Sequence, residues 1–142
     1  MYIIEAMRER LKKENPKLYH VAWEGGTEPP FTGRYVYTKD EGVYHCAVCK
    51  AVLFSSAAKF DSGTGWPSFT DPIFNESVTF QDDYSHGMVR TEVRCANCDA
   101  HLGHVFMGDG PEIEGKTCAR FCVNSISLDF KENNGTLNGN YE

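Results

Sequence analysis

Two Cys-x-x-Cys pairs, Cys46 with Cys49 and Cys95 with Cys98, constrain this chain more than any other feature of its sequence. Each pair presents two thiols from one tight turn. If the four converge on one ion, two distant segments are pinned together and everything between them must fold back to the same point. Soft sulfur donors on two hairpins favour a closed, tetrahedral zinc site, one ion per chain. Four protein ligands leave no open position for a substrate, so the expected role of this metal is structural. Two other readings compete. A redox dithiol would be favoured by a single pair beside a βαβ pattern, which the chain lacks. Two structural disulfides would be favoured by an oxidising compartment.

Composition argues about that compartment. The mean hydropathy is -0.44, and charges are scattered through the first twenty residues, so no transmembrane span is expected. The N-terminus MYIIEAMRERLKKENP has no continuous apolar core followed by small residues, as a signal peptide would. A reducing, cytoplasmic location is the expectation, in which six cysteines divide into four ligands and two thiols. At 142 residues the chain suits one domain. A net charge of -6 opposes binding to a phosphate backbone, so no nucleic-acid partner is expected. A monomer is expected.

Ile4, Met7 and Leu11 recur at helical spacing, which predicts an amphipathic N-terminal helix over residues 3–14. Pro16 is expected to end it, and residues 1–17 are set apart as this helix. The Gly- and Pro-rich stretch EGGTEPPFTG, residues 24–33, predicts a surface loop. Tyr35 and Tyr37, then Val43 and Tyr44 across the turn 39–42, predict a hairpin that delivers Cys46. Short strands are expected at Ala51–Phe54 and Val78–Phe80. Met88–Arg94 alternates cleanly between apolar and polar positions, as a half-buried antiparallel strand does. Period-two alternation over Ala119–Phe130 places Arg120, Cys122, Asn124, Ile126, Leu128 and Phe130 on one face. The Gly- and Asn-rich residues 131–142 read as a flexible tail. The sum is a mainly antiparallel β domain with one short helix at its front.

The second knuckle runs directly into HLGHVF within the stretch Arg94–Asp109, so His101 and His104 must lie close to whatever the metal pins. Cys122 belongs to no ligand pair. A buried free cysteine is ordinarily a small hydrophobe, but here Arg120 and Asn124 share its face, bringing a cation and an amide donor to the sulfur. A neighbouring positive charge favours thiolate. Three residues apart on a flat strand, the two histidines would face opposite ways; Gly103 between them permits a bulge that turns both inward. If the strand is regular, His104 is the one expected to face Cys122. His20, His45 and His86 read as surface or structural residues.

The blocks TEPPFTG (27–33), KFDSGTGWPSF (59–69), SHGMVRTEVRCANCDAHLGHVF (85–106) and RFCVNSISLDF (120–130), with the first C-x-x-C, resemble the B-type methionine sulfoxide reductases colinearly over residues 18–130. The resemblance implies two antiparallel sheets in a β-tent-like fold with a structural zinc. It implies reduction of methionine-R-sulfoxide in peptides and proteins, with electrons from thioredoxin or another thiol. Carried across, the nucleophile falls on Cys122, contacts to the sulfoxide oxygen on His101, His104 and Asn124, and a supporting cation on Arg120. Trp66 takes the place of the aromatic residue that meets the substrate methyl, and Asp109 that of an acid orienting the site. Independently of the resemblance, Trp66 sits in a Gly/Pro loop that suits a pocket wall better than plain packing.

The sequence departs from the resemblance at Thr64, where many relatives carry a recycling cysteine. Cys118 is the remaining thiol. Four residues of extended strand span about 13 Å, whereas a disulfide needs Cα atoms about 4.4 to 6.8 Å apart. Cys118 could therefore resolve Cys122 only if the chain bends; otherwise it is inert or bypassed by an external thiol. The rival to an enzyme is a zinc-stabilised binding module in which Cys122 is merely buried, and RFCVNS together with HLGHVF argues against that.

Overall fold

Asn15 and Pro16 start a helix rather than only stopping one. The computed structural model describes residues 2–133. Helix α1 spans Tyr2–Glu14 and α2 follows at Pro16–Trp23. The expected single helix is thus two, and the reason is local. Proline has no N–H to satisfy and a fixed φ, so it is accommodated at the first position of a helix. The Asn15 side chain then caps α2 by accepting from Leu18 N at 3.3 Å. Leu18, Val21 and Ala22 form the buried face of α2, and Met7 of α1 packs at the edge of the core. No helix of the described residues is long and apolar enough to cross a membrane.

Eleven strands follow: β1 Gly42–Cys46, β2 Val52–Ser55, β3 Lys59–Phe60, β4 Ser68–Phe69, β5 Val78–Asp83, β6 Arg90–Cys95, β7 His101–Phe106, β8 Glu112–Ile113, β9 Lys116–Thr117, β10 Arg120–Val123 and β11 Leu128–Glu132. They form two main antiparallel sheets, three strands in the order β11-β1-β2 and six in the order β3-β4-β10-β7-β6-β5, plus a small β8-β9 hairpin. The mainly β, two-sheet expectation stands.

Two local expectations are corrected. Tyr35 and Tyr37 lie in turns, not in a strand. Tyr35 is instead buried, edge-on to Tyr44 at 5.6 Å, and its Oη accepts from Phe130 N; its aromatic character serves the core, not a ladder. Residues 119–130 are not one strand either. A 3-10 turn at Ser125–Ser127 breaks them, so β10 lies in the large sheet and β11 in the small one. Glu28 fixes the break: its two carboxylate oxygens accept from Ser125 N at 2.7 Å and Ile126 N at 3.0 Å. Lys131 and Glu132 complete β11, and residues 134–142 of the expected tail lie outside the described residues.

The core fills the space between the sheets. Phe54 stacks on Phe69 at 4.4 Å, and Tyr44 lies 4.6 Å from Phe130. Leu53, Val93, Leu102 and Val123 are fully buried around them. Both sheets contribute, so the strand carrying Cys46 and the strands carrying Cys95 and Cys122 share one apolar interior.

Candidate active site and metal centre

The two knuckles are built alike. Lys50 N donates to Cys46 O at 2.8 Å, and Asp99 N donates to Cys95 O at 2.8 Å. Lys50 and Asp99 both adopt left-handed backbone, with φ of 69° and 68°. Each turn therefore aims its two sulfurs to one side, and the four sulfurs lie within 4.8 Å of one another. Across the knuckles, Cys46 Sγ lies 3.8 Å from Cys98 Sγ and Cys49 Sγ 3.6 Å from Cys95 Sγ. A tetrahedral ion with Zn–S near 2.3 Å separates its sulfurs by about 3.8 Å. The donor set thus fits a metal site and is consistent with zinc. Coordinating thiols are deprotonated, so a divalent ion there would hold the four sulfurs as thiolates.

Strand β7 leaves the second knuckle with a register shift. Val93 pairs with Gly103, but Arg94 pairs with His101, so Leu102 is the extra residue of a bulge. The bulge turns both imidazoles to the same side, with ring centroids 5.4 Å apart. Gly103 is required there, since a Cβ would lie 1.9 Å from the Cys122 carbonyl oxygen. Only glycine allows β7 and β10 to approach this closely, and the approach places Cys122 opposite His104 in register.

Cys122 lines a small cavity of about 140 Å³ together with Trp66, His101, His104, Arg120 and Asn124. Arg120 Nη1 donates to Cys122 Sγ at 2.9 Å. The guanidinium is held from two further sides, 4.4 Å above the Phe106 ring and 3.4 Å from Asp109 Oδ2. Hydroxyls close the other side of the sulfur: Ser68 Oγ lies 3.6 Å and Thr64 Oγ1 3.7 Å from it, and Ser62 links the two at 2.7 Å each. The indole Nε1 of Trp66 donates to Glu28 O at 3.0 Å, which fixes the aromatic wall. Asn124, 3% exposed, accepts from Glu28 N and donates to Leu102 O. Its amide therefore braces the bulge and leaves one N–H for the cavity.

Each imidazole is gripped by a carboxylate. His101 Nδ1 lies 2.6 Å from Glu92 Oε2 and His104 Nε2 2.6 Å from Asp83 Oδ2. Hydrogen bonding from His104, then from Ser85, holds the Asp83 carboxyl well below the usual carboxylate range. Burial pushes the His101 imidazole down, against the pull of Glu92.

The structure gathers Cys122, Arg120, Asn124, His101, His104 and Trp66 around one cavity. Asp109 stands behind Arg120, largely exposed. Cys118 lies two residues before β10, its backbone tied to Gly110 and Pro111, and does not line the cavity that holds Cys122. Sequence reasoning passed over Glu28, Ser68, Asp83 and Glu92. Glu92 and Arg90 were visible as the polar side of an alternating strand, and that side faces the site. Glu28 lies in the TEPPFTG block but carried no local cue to its backbone partners.

A cysteine sulfur, a guanidinium on it and two imidazoles beside it, on a β scaffold with a tetrathiolate metal centre, define a thiol-based oxidoreductase. A family comparison matches the SelR domain over residues 15–132. The chain is 55% identical over 127 residues to a peptide methionine sulfoxide reductase MsrB of Thioalkalivibrio sulfidiphilus (strain HL-EbGR7), covering 89% of this chain and 88% of that protein. It is 54% identical over 134 residues to the protein of the same description from Escherichia coli O139:H28 (strain E24377A / ETEC), covering 92% and 95%. The chain belongs to the SelR-domain family of peptide methionine sulfoxide reductases, B type.

Proposed function

We propose that this chain reduces methionine-R-sulfoxide, in peptides and proteins, to methionine, with Cys122 as nucleophile and His104 as proton donor. A sulfoxide sulfur becomes electrophilic when its oxygen is protonated or strongly hydrogen-bonded, so the site needs a thiolate and an acid together. The observation that carries the reading is the 2.9 Å contact from Arg120 to Cys122 inside a cavity that both imidazoles line. The guanidinium stabilises negative charge on the attacking sulfur. His104 delivers a proton to the substrate oxygen, with the remaining Asn124 N–H and His101 as further polar contacts. The substrate S–O bond breaks, methionine leaves, and oxygen ends on Cys122 as a sulfenic acid, so the cysteine is oxidised by the two electrons that reduce the sulfoxide. The wall formed by Trp66 takes the S-methyl group and offers the oxygen no partner, which selects one epimer.

Two thiols then restore Cys122. The first forms a mixed disulfide and releases water, and the second displaces Cys122 as a thiol. An external thiol, thioredoxin or another reductant, is the proposed source, because Cys118 does not line the cavity and is tethered at both backbone groups. One equivalent of substrate tests this: a Cys118–Cys122 disulfide by mass spectrometry would assign Cys118 as the resolving thiol instead. Zinc, one per chain on Cys46, Cys49, Cys95 and Cys98, supplies no step; a closed tetrathiolate clamps the two sheets. A reducing compartment such as the cytoplasm is the proposed setting, since none of the six cysteines is in a disulfide. The enzyme is proposed to act as a monomer. Steady turnover of a methionine-R-sulfoxide substrate with dithiothreitol should vanish in Cys122→Ser. Unchanged turnover in that variant, or preference for the S epimer, overturns the reading.

A further inference from the structure

Two carboxylates hold the two imidazoles by opposite ring nitrogens. Asp83 Oδ2 takes His104 at Nε2, and Glu92 Oε2 takes His101 at Nδ1. Neither carboxylate is free to swing. Asp83 also accepts from Ser85 N at 2.9 Å and from Arg90 Nη2 at 3.4 Å; Glu92 Oε2 is also 3.1 Å from Arg94 Nε. The side chains of both pairs are largely withdrawn from water, between 12% and 19% exposed. Asp83 lies on β5 and His104 on β7, with β6 between them in the sheet order, so this contact reaches across a strand rather than along one.

We propose that Asp83 and Glu92 are positioning residues of the reductase site, which set opposite tautomers in the two histidines so that His104 turns Nδ1, and His101 turns Nε2, toward the substrate oxygen. The proposal rests on the reading of His104 as acid given above and explains why the two histidines differ. With Nε2–H committed to Asp83, His104 has a second proton to give only at Nδ1, and the ionised carboxylate supports the charge of the doubly protonated ring. His101 donates Nδ1–H to Glu92 and is left with an acceptor at Nε2, and burial pushes its imidazole down, against a second proton there. In that tautomer it can hold a protonated oxygen in place rather than deliver a proton. Neither carboxylate lines the cavity that holds Cys122, so each acts through its histidine.

Imidazole ¹⁵N correlations of the wild-type enzyme read the arrangement directly. The expected result is Nε2–H on His104 and Nδ1–H on His101; the opposite assignment on either ring overturns the proposal whether or not the protein turns over substrate. In zinc-loaded Asp83→Asn, kcat should fall about 10- to 100-fold with KM little changed, and the ¹⁵N pattern of His104 should change. The same substitution made in His104→Ala should cost nothing further, since the two residues act as one unit. Retention of wild-type kcat in Asp83→Asn, or an equal loss with His104 absent, overturns the proposal. A wild-type enzyme inactive on the R-sulfoxide would instead overturn the functional reading while leaving the ¹⁵N result to judge the pairing.

Discussion

A methyl group at position 103 has nowhere to go, because the Cys122 carbonyl oxygen already occupies its place. Gly103→Ala must push β7 and β10 apart, and overpacking of this kind costs about 1 to 3 kcal/mol. A urea midpoint lowered accordingly, with turnover reduced more than stability explains, is the expected outcome, because the same shift moves Cys122 away from His104. Titration gives a second prediction at this scale. The Asp83 carboxyl is lowered on folding, chiefly by His104. The unfolded chain therefore binds more protons, and this contribution is present above about pH 4 and lost as pH falls toward the folded value. The His101 imidazole is lowered by burial, so its contribution is full above about pH 6.5 and declines as pH falls below it. Urea midpoints should therefore drop in two stages on acidification, and Asp83→Asn should flatten the lower one. Much of the site was legible at this scale: an unpaired cysteine flanked by Arg120 and Asn124, and two histidines beside a glycine. Asp83 and Glu92 were not, because a carboxylate acquires its meaning from a cross-strand neighbour that local spacing does not reveal.

Among the elements, α2 shows how a rule can be right in kind and wrong in direction. Proline ends helices because it lacks an N–H, and for the same reason it opens them. Asn15→Ala removes the cap on α2 and should cost about 1 kcal/mol in stability, measured by urea unfolding, with turnover close to wild type because no α2 residue lines the cavity around Cys122. Strand β6 was legible from its period, which is a local property, but it begins at Arg90, and Met88 and Val89 lie exposed before it. The run from Ala119 to Phe130 was misread as one strand because its alternation continues through a turn. Glu28, nearly a hundred residues earlier, satisfies the turn's backbone N–H groups, and a partner at that separation leaves no trace in the local pattern.

For the whole molecule, the four-cysteine cluster joins the two sheets. Cys46 closes β1 in the three-stranded sheet and Cys95 closes β6 in the six-stranded one. A pin between sheets makes metal binding part of the folding free energy. Stripping the metal with a strong chelator should therefore abolish both turnover and the cooperative unfolding transition, with four thiols newly reactive; a metal-free protein that keeps its fold and activity would refute the structural role. This constraint was the most legible feature of all, since two matched knuckles announce their convergence without any knowledge of the strands between them. The measurement nearest the centre of the account is a single turnover without reductant, with methionine release and protein mass followed together. One methionine per chain and one oxygen added at Cys122 are expected, with neither in Cys122→Ser. Methionine released by that variant, or oxygen found on another residue, would contradict it.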